Sequence, residues 1–259
     1  MIFGTPVQYG EELAKGYRQS DEVIIGTGAR RHFAEVLEGI TRSFERPISV
    51  LDIGCGTGRF FHCLRNVQSL LGVDASPYML AEARTPVRAE AIDAKQIELQ
   101  CADIQEVDLT GRRFDFIYSI GVLGEFVPMT PRLCRKLLAA LSPEGRLFFT
   151  VVDTHSRLDH DKCGPRVIRA VAGRVFRHAP NWLRQGMNQC VSSLQMTKAQ
   201  LQKCLAEAGA DAYEISRYEH PPRSGWQGAH YECLLRSRPA SDSDPPRLPL
   251  DVPSPDQHG

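Results

Sequence analysis

The chain is 259 residues long, and 31 lysines and arginines against 31 aspartates and glutamates leave no net charge at pH 7. That length holds one sizeable core with modest appendages, and the balance excludes the overall basic surface by which a protein grips nucleic-acid phosphates. The eight cysteines form no CxxC pair, and several sit inside apolar runs, which predicts buried thiols in a reducing, cytoplasmic setting and no metal site.

No apolar run approaches the roughly 20 residues needed to cross a bilayer, so neither a signal peptide nor a membrane span is expected. Residues 1–47 read as an N-terminal helical segment, with a helical pattern around Phe33, Val36, Leu37 and Ile40 after a polar stretch holding Tyr9 and Tyr17. From residue 48 to 153, short apolar runs alternate with amphipathic stretches, the pattern of a parallel sheet covered by helices on both faces. The expected strands are Ile48–Ile53, 70–73, 97–101, 114–120 and 146–152. The expected helices are 59–67, Pro77–Ala83 and 131–141, the last opening on a proline suited to a first turn. Thr197 caps a further helix that Gly209 ends, and strands at 212–218 and 231–235 follow. This gives a core of 48–238 with an insertion at 154–196. The segment 239–259 holds six prolines and four aspartates, so it cannot bury enough apolar surface to offset its ordering entropy and is expected to be disordered. Oligomeric state is not legible in the sequence.

The chemistry centres on Val50-Leu51-Asp52-Ile53-Gly54-Cys55-Gly56-Thr57-Gly58, an apolar strand running into glycines at every second position. Glycine permits a tight turn and lets main-chain N–H groups and a helix N-terminus face a ligand with no Cβ in the way. The dinucleotide fingerprint needs a glycine at position 59, where Arg59 stands, which argues against a nicotinamide-dependent oxidoreductase. The segment resembles motif I of the class I, Rossmann-like S-adenosylmethionine-dependent methyltransferases. That resemblance implies that Asp52, Gly54, Cys55, Gly56 and Gly58 hold the methionine part of the cofactor.

Asp74 ends the next strand, where a carboxylate accepts hydrogen bonds from a ribose diol. The following Ala75-Ser76-Pro77-Tyr78-Met79 looks like the family's continuation, in which Ala75 lies beside the cofactor and Met79 packs against adenine; plain core packing is the rival reading of Met79. Ala102, Asp103 and Ile104 resemble the adenine corner, Asp103 accepting from the exocyclic amine and Ile104 covering the ring, although a strand-end aspartate is often a turn former. Ser119 stands at the end of the fourth strand, where the family meets cofactor and substrate. Beyond it, Gly124 and Glu125 occupy positions where the family often has a histidine. The resemblance covers about residues 17–235 and implies an α/β fold, a doubly wound, mainly parallel seven-stranded sheet whose last strand is antiparallel, with the N-terminal helical segment 1–47 over the cofactor site and a helical insertion after strand 5.

Methyl transfer from a sulfonium is an in-line displacement in which the cofactor carries the reactive carbon, so a general base is optional. His155, beside Asp153, is a candidate base; an exposed loop histidine is the plainer reading. His220 and His230 flank the loop between the last two strands. The N-P-P-[YF] grip of enzymes that methylate nucleic-acid bases is absent after the fourth strand, which with the charge balance argues against nucleic acid. From 154 to 190, seven bases and two acids leave an excess of five positive charges, and 166–177 reads as a basic amphipathic helix. Such a helix covers a core with a solvated face, closes over an anionic or apolar small-molecule substrate or, less favoured, meets an anionic membrane surface. The expected function is methylation of a small molecule; the alternatives are the oxidoreductase and a non-catalytic module that binds the cofactor without turnover.

Overall fold

The computed structural model describes residues 10–24, 28–153, 194–219 and 229–237. Most of the expected insertion (154–193) with its basic helix, His155, His220 and the 239–259 segment lie outside the described residues.

The element order is α1 (Glu11–Ile24), α2 (Gly28–Arg42), β1 (Ile48–Ile53), a 3-10 turn (Phe61–Cys63), β2 (Val67–Asp74), α3 (Pro77–Ala83), a 3-10 turn (Ala89–Ala91), β3 (Ala94–Cys101), β4 (Phe114–Ser119), α4 (Pro131–Ala139), β5 (Leu141–Val152), α5 (Lys198–Ala208), β6 (Tyr213–Glu219) and β7 (Ala229–Arg236). The strands form a seven-stranded sheet in the order β3-β2-β1-β4-β5-β7-β6. Its first five strands run parallel, and β7 runs antiparallel to both β5 and β6. One face carries α4 and α5 over Leu51, Ile53, Ile117, Phe149 and Cys233. The other carries α2 and α3 over Val50, Leu70, Phe116, Tyr118 and Phe148.

The caps follow the sequence. Ser76 accepts from the Met79 N–H and Thr130 from the Leu133 N–H, each just before a proline in the first turn. Thr197 and Gln200 form a reciprocal capping box on α5, and Gly209 closes that helix in the left-handed region at φ 80°.

Two expectations are corrected, the helix at 59–67 and the start of the fifth strand, and the N-terminal helical segment gains a second helix. Residues 59–67 are not a helix but a single 3-10 turn, and β2 already starts at Val67. The N–H groups that would extend a helix are taken elsewhere: Arg65 donates to Thr41 Oγ1 at 3.0 Å and Asn66 to Asp93 Oδ2 at 2.9 Å. The polar stretch around Tyr17 is helical, forming α1. Its inward residues Ala14, Tyr17, Arg18 and Asp21 keep helical spacing, but two of them are charged while Leu13 and Val23 face outward, so hydrophobic periodicity marks the helix poorly. Finally, β5 begins at Leu141 rather than 146, because Phe114 pairs Leu141 and Phe116 pairs Arg146 with the turn looped out between them. Gly145 is required there, since a Cβ would lie 2.7 Å from the Ser142 carbonyl oxygen.

Candidate active site

The parallel strands bring their carboxyl ends to one edge. In-register pairing sets Asp52 beside Gly72 and Tyr118, Ile53 beside Val73, and Asp74 beside Cys101. The strand-end residues singled out from the sequence are thereby collected from four adjacent strands.

Gly54 takes φ 70° and packs so closely that a Cβ would lie 2.2 Å from Val122 Cγ2. Gly56, at φ 55°, has nothing within 4 Å of that position, which leaves an open cradle in the middle of the turn. The main-chain donors are arranged differently from the expectation. Gly54 and Cys55 both donate to the Val73 carbonyl, at 2.7 and 3.1 Å, and Gly56 donates to Asp74 Oδ2 at 2.9 Å. These three N–H groups fasten the turn to β2, and the short 3-10 turn that follows supplies no long helix N-terminus.

The acids differ in surroundings. Asp52 is buried, accepts from the Tyr118 hydroxyl at 2.6 Å, and is pushed up to about 8 by burial; the Tyr118 hydrogen bond opposes that rise and the Asp74 charge adds to it. Asp74 is also raised by burial, against the pull of hydrogen bonds from the Ser76 and Gly56 N–H groups. Asp103 accepts from the Gln105 N–H at 2.8 Å, so it shapes the turn after β3. Burial drives the Cys55 thiol far above its usual range, which makes it a small packed hydrophobe.

Among the remaining sequence-derived residues, Ala75 is exposed beside Asp74. Met79 is buried on α3. Ile104 is packed in the apolar cluster under α4, with Ala102 against it. The buried Ser119 hydroxyl donates to the Ile53 carbonyl at 3.0 Å and ties the end of β4 to β1. Asp153 is buried and paired with Arg217 at 2.8 Å. Glu125, past β4, is raised to about 7 by burial.

Sequence reasoning missed two sets of partners. Tyr118 reads as a core aromatic in an apolar strand, yet its hydroxyl meets Asp52. Asp21 of α1 is 1% exposed, accepts from Thr57 Oγ1 at 2.5 Å and pairs with Arg59 at 3.1 Å, while Arg59 also lies over the Tyr17 ring. The first helix is thereby fastened onto the glycine turn. A buried aspartate opposite Thr57 and Arg59 is a long-range pairing that no local pattern announces.

The residues fit S-adenosylmethionine. The open cradle at Gly56 admits close backbone approach, Asp74 and Asp103 offer acceptors to a ribose diol and an amine, and Asp52 offers a buried carboxyl to a cation.

Comparison with known proteins agrees. A family model described as a methyltransferase domain matches residues 28–215. The ubiquinone biosynthesis O-methyltransferase of Coxiella burnetii is 31% identical over 105 residues, 40% of this chain and 43% of that protein. The malonyl-[acyl-carrier protein] O-methyltransferase of Priestia megaterium is 30% identical over 131 residues, 47% of this chain and 45% of that protein. The chain thus matches less than half the length of either relative. Among solved structures, phosphoethanolamine N-methyltransferase 2 of Haemonchus contortus with S-adenosyl-L-methionine aligns over 90% of this chain and 58% of its own, at TM-score 0.60 and 16% identity. Magnesium protoporphyrin IX methyltransferase of Synechocystis aligns over 86% and 84%, at TM-score 0.51 and 16% identity. The strand order, the glycine turn with its acids and the family match over 28–215 converge: the chain belongs to the class I, Rossmann-like S-adenosylmethionine-dependent methyltransferases.

Proposed function

We propose that this chain methylates a hydroxyl oxygen of a small-molecule acceptor. The observation that carries the reading is the set of acids, Asp52, Asp74 and Asp103, at the ends of three strands around the fastened glycine turn. The two relatives' names, both O-methyltransferases, support oxygen as the accepting atom. The excess of positive charge at 154–190 suits an acceptor carrying phosphate or carboxylate.

S-adenosylmethionine supplies an activated methyl carbon on a sulfonium. The chain's own part is alignment, charge balance and exclusion of water. Asp74 holds the turn's Gly56 N–H while presenting a carboxylate at the β2 end. The Ser119 and Tyr118 hydroxyls lock the carboxyl ends of β1 and β4 together, so the floor of the site is rigid.

Calorimetry with S-adenosylhomocysteine tests the reading. Asp74→Ala should weaken binding and also lower the melting temperature, because each lost charge-assisted bond to Gly56 or Ser76 is worth roughly 1.5–3 kcal/mol. NAD should neither bind nor protect; tight NAD binding that S-adenosylhomocysteine fails to displace would overturn the assignment.

A further inference from the structure

Away from the glycine turn, two histidines meet on one carboxylate. His32 Nε2 lies 2.6 Å and His230 Nε2 3.1 Å from the same Glu232 Oε1. His230 and Glu232 stand two residues apart on β7 and share a face of the sheet, while His32 comes from α2 above it. The rings form a wall: His32 stacks on Tyr218 with centroids 4.1 Å apart, and His230 lies 5.2 Å from both Tyr218 and Phe33.

The sheet register places this group at the substrate edge. His230 is paired with Val152 and Glu232 with Thr150, at the carboxyl end of β5. The Thr150 hydroxyl accepts from the Gly121 N–H at 2.9 Å, just past the end of β4. With neighbouring strands about 4.8 Å apart, β7 lies about 10 Å from β4 and about 14 Å from β1. One small acceptor molecule spans that distance.

Burial alone would raise the Glu232 carboxyl, but the hydrogen bonds from His230 and His32 outweigh it and hold the group below its usual range. An ionised carboxylate only accepts, so both facing Nε2 atoms carry hydrogens, and in the neutral His32 ring Nδ1 is then the nitrogen that takes up a proton. A carboxylate that fixes one ring nitrogen so that the other can take a proton is the logic of a hydrolase triad. The His32 side chain is 29% exposed and that of His230 only 7%, so His32 is the one a substrate can reach. Its other titratable neighbours are Tyr218 on β6 and, one turn along α2, the exposed Glu35.

We propose that Glu232, itself braced by His230, positions His32 as the proton acceptor for the substrate hydroxyl. This rests on the hydroxyl-acceptor reading above. As the oxygen lone pair forms the new C–O bond, the C–S bond breaks with its electrons going to sulfur. The hydroxyl proton passes to His32 Nδ1, the imidazolium is stabilised by Glu232, and the proton is then released to water.

The full chain saturated with S-adenosylhomocysteine can be titrated with 4-nitrocatechol, whose phenolate is coloured. The wild-type complex should lower the bound probe's apparent pKa by about one unit, a tenfold shift in its ionisation. His32→Gln should abolish that shift with S-adenosylhomocysteine affinity unchanged. Glu232→Gln should diminish it and, in imidazole nitrogen NMR spectra, erase the single tautomer of His32. A probe that binds by calorimetry but ionises alike in the wild type and His32→Gln overturns the proposal alone. A probe that binds neither form overturns the hydroxyl reading and the proposal with it.

Discussion

The Asp52 carboxyl is buried and accepts from the Tyr118 hydroxyl at 2.6 Å. Its position at the end of β1 follows from the sequence, but its neutrality near pH 7 depends on burial and on Asp74 across the strand pair. A carboxyl raised to about 8 when folded, from about 3.9 when unfolded, stabilises the fold below the lower value, and that contribution is lost as pH rises through the folded one. The ammonium of the cofactor's methionine part, which S-adenosylhomocysteine keeps, would favour the ionised form, so ligand binding at pH 7 should expel a proton. S-adenosylhomocysteine titrations in buffers of different ionisation enthalpy should show up to one proton released, and Asp52→Asn should release less. Equal release from both proteins would take the linkage away from Asp52. The glycines and strand-end acids were legible because each obeys a local rule. Tyr118, Asp21 and the His32–Glu232 pair were not, because their meaning comes from partners between 36 and 200 positions away.

Helices and strands were legible where a cap or an apolar period marks them. Ile48–Ile53 and Pro77–Ala83 keep their expected bounds, whereas residues 59–67 lose their helix to Thr41 and Asp93. Helix α1, in the part of the N-terminal segment without an apolar period, is held by Asp21 to Thr57 and Arg59, by Arg18 donating to the Thr85 carbonyl at 3.1 Å and by the buried Ala14. Asp21→Ala removes a buried acceptor from both partners, at a cost of roughly 1–3 kcal/mol. The effect should be centred on this element and on the glycine turn that Asp21 fastens. Amide exchange across 11–24 should accelerate by at least about tenfold, with S-adenosylhomocysteine bound more weakly and the exchange of β1 and β4 unchanged. Uniform acceleration throughout the sheet would show instead that Asp21 supports the whole fold.

For the molecule as a whole, the order of strands in space differs from their order of synthesis. Among the described strands β7 comes last along the chain yet sits between β5 and β6, pairing with both. Until residues 229–236 have left the ribosome, β5 has an unpaired edge on a strand that carries Leu147, Phe148, Phe149 and Val151. Such an edge is a template for pairing with another chain, and nascent domains that expose one are prone to misassembly. Ribosome-bound chains arrested with residue 225 at the tunnel exit should therefore be protease-sensitive and bound by chaperones, and chains extended past 236 should abruptly become resistant. Gradual protection that begins before residue 229 emerges would show that β1, β4 and β5 settle without their late neighbour; a sharp step would make the last strand the one that commits a newly made molecule to its fold.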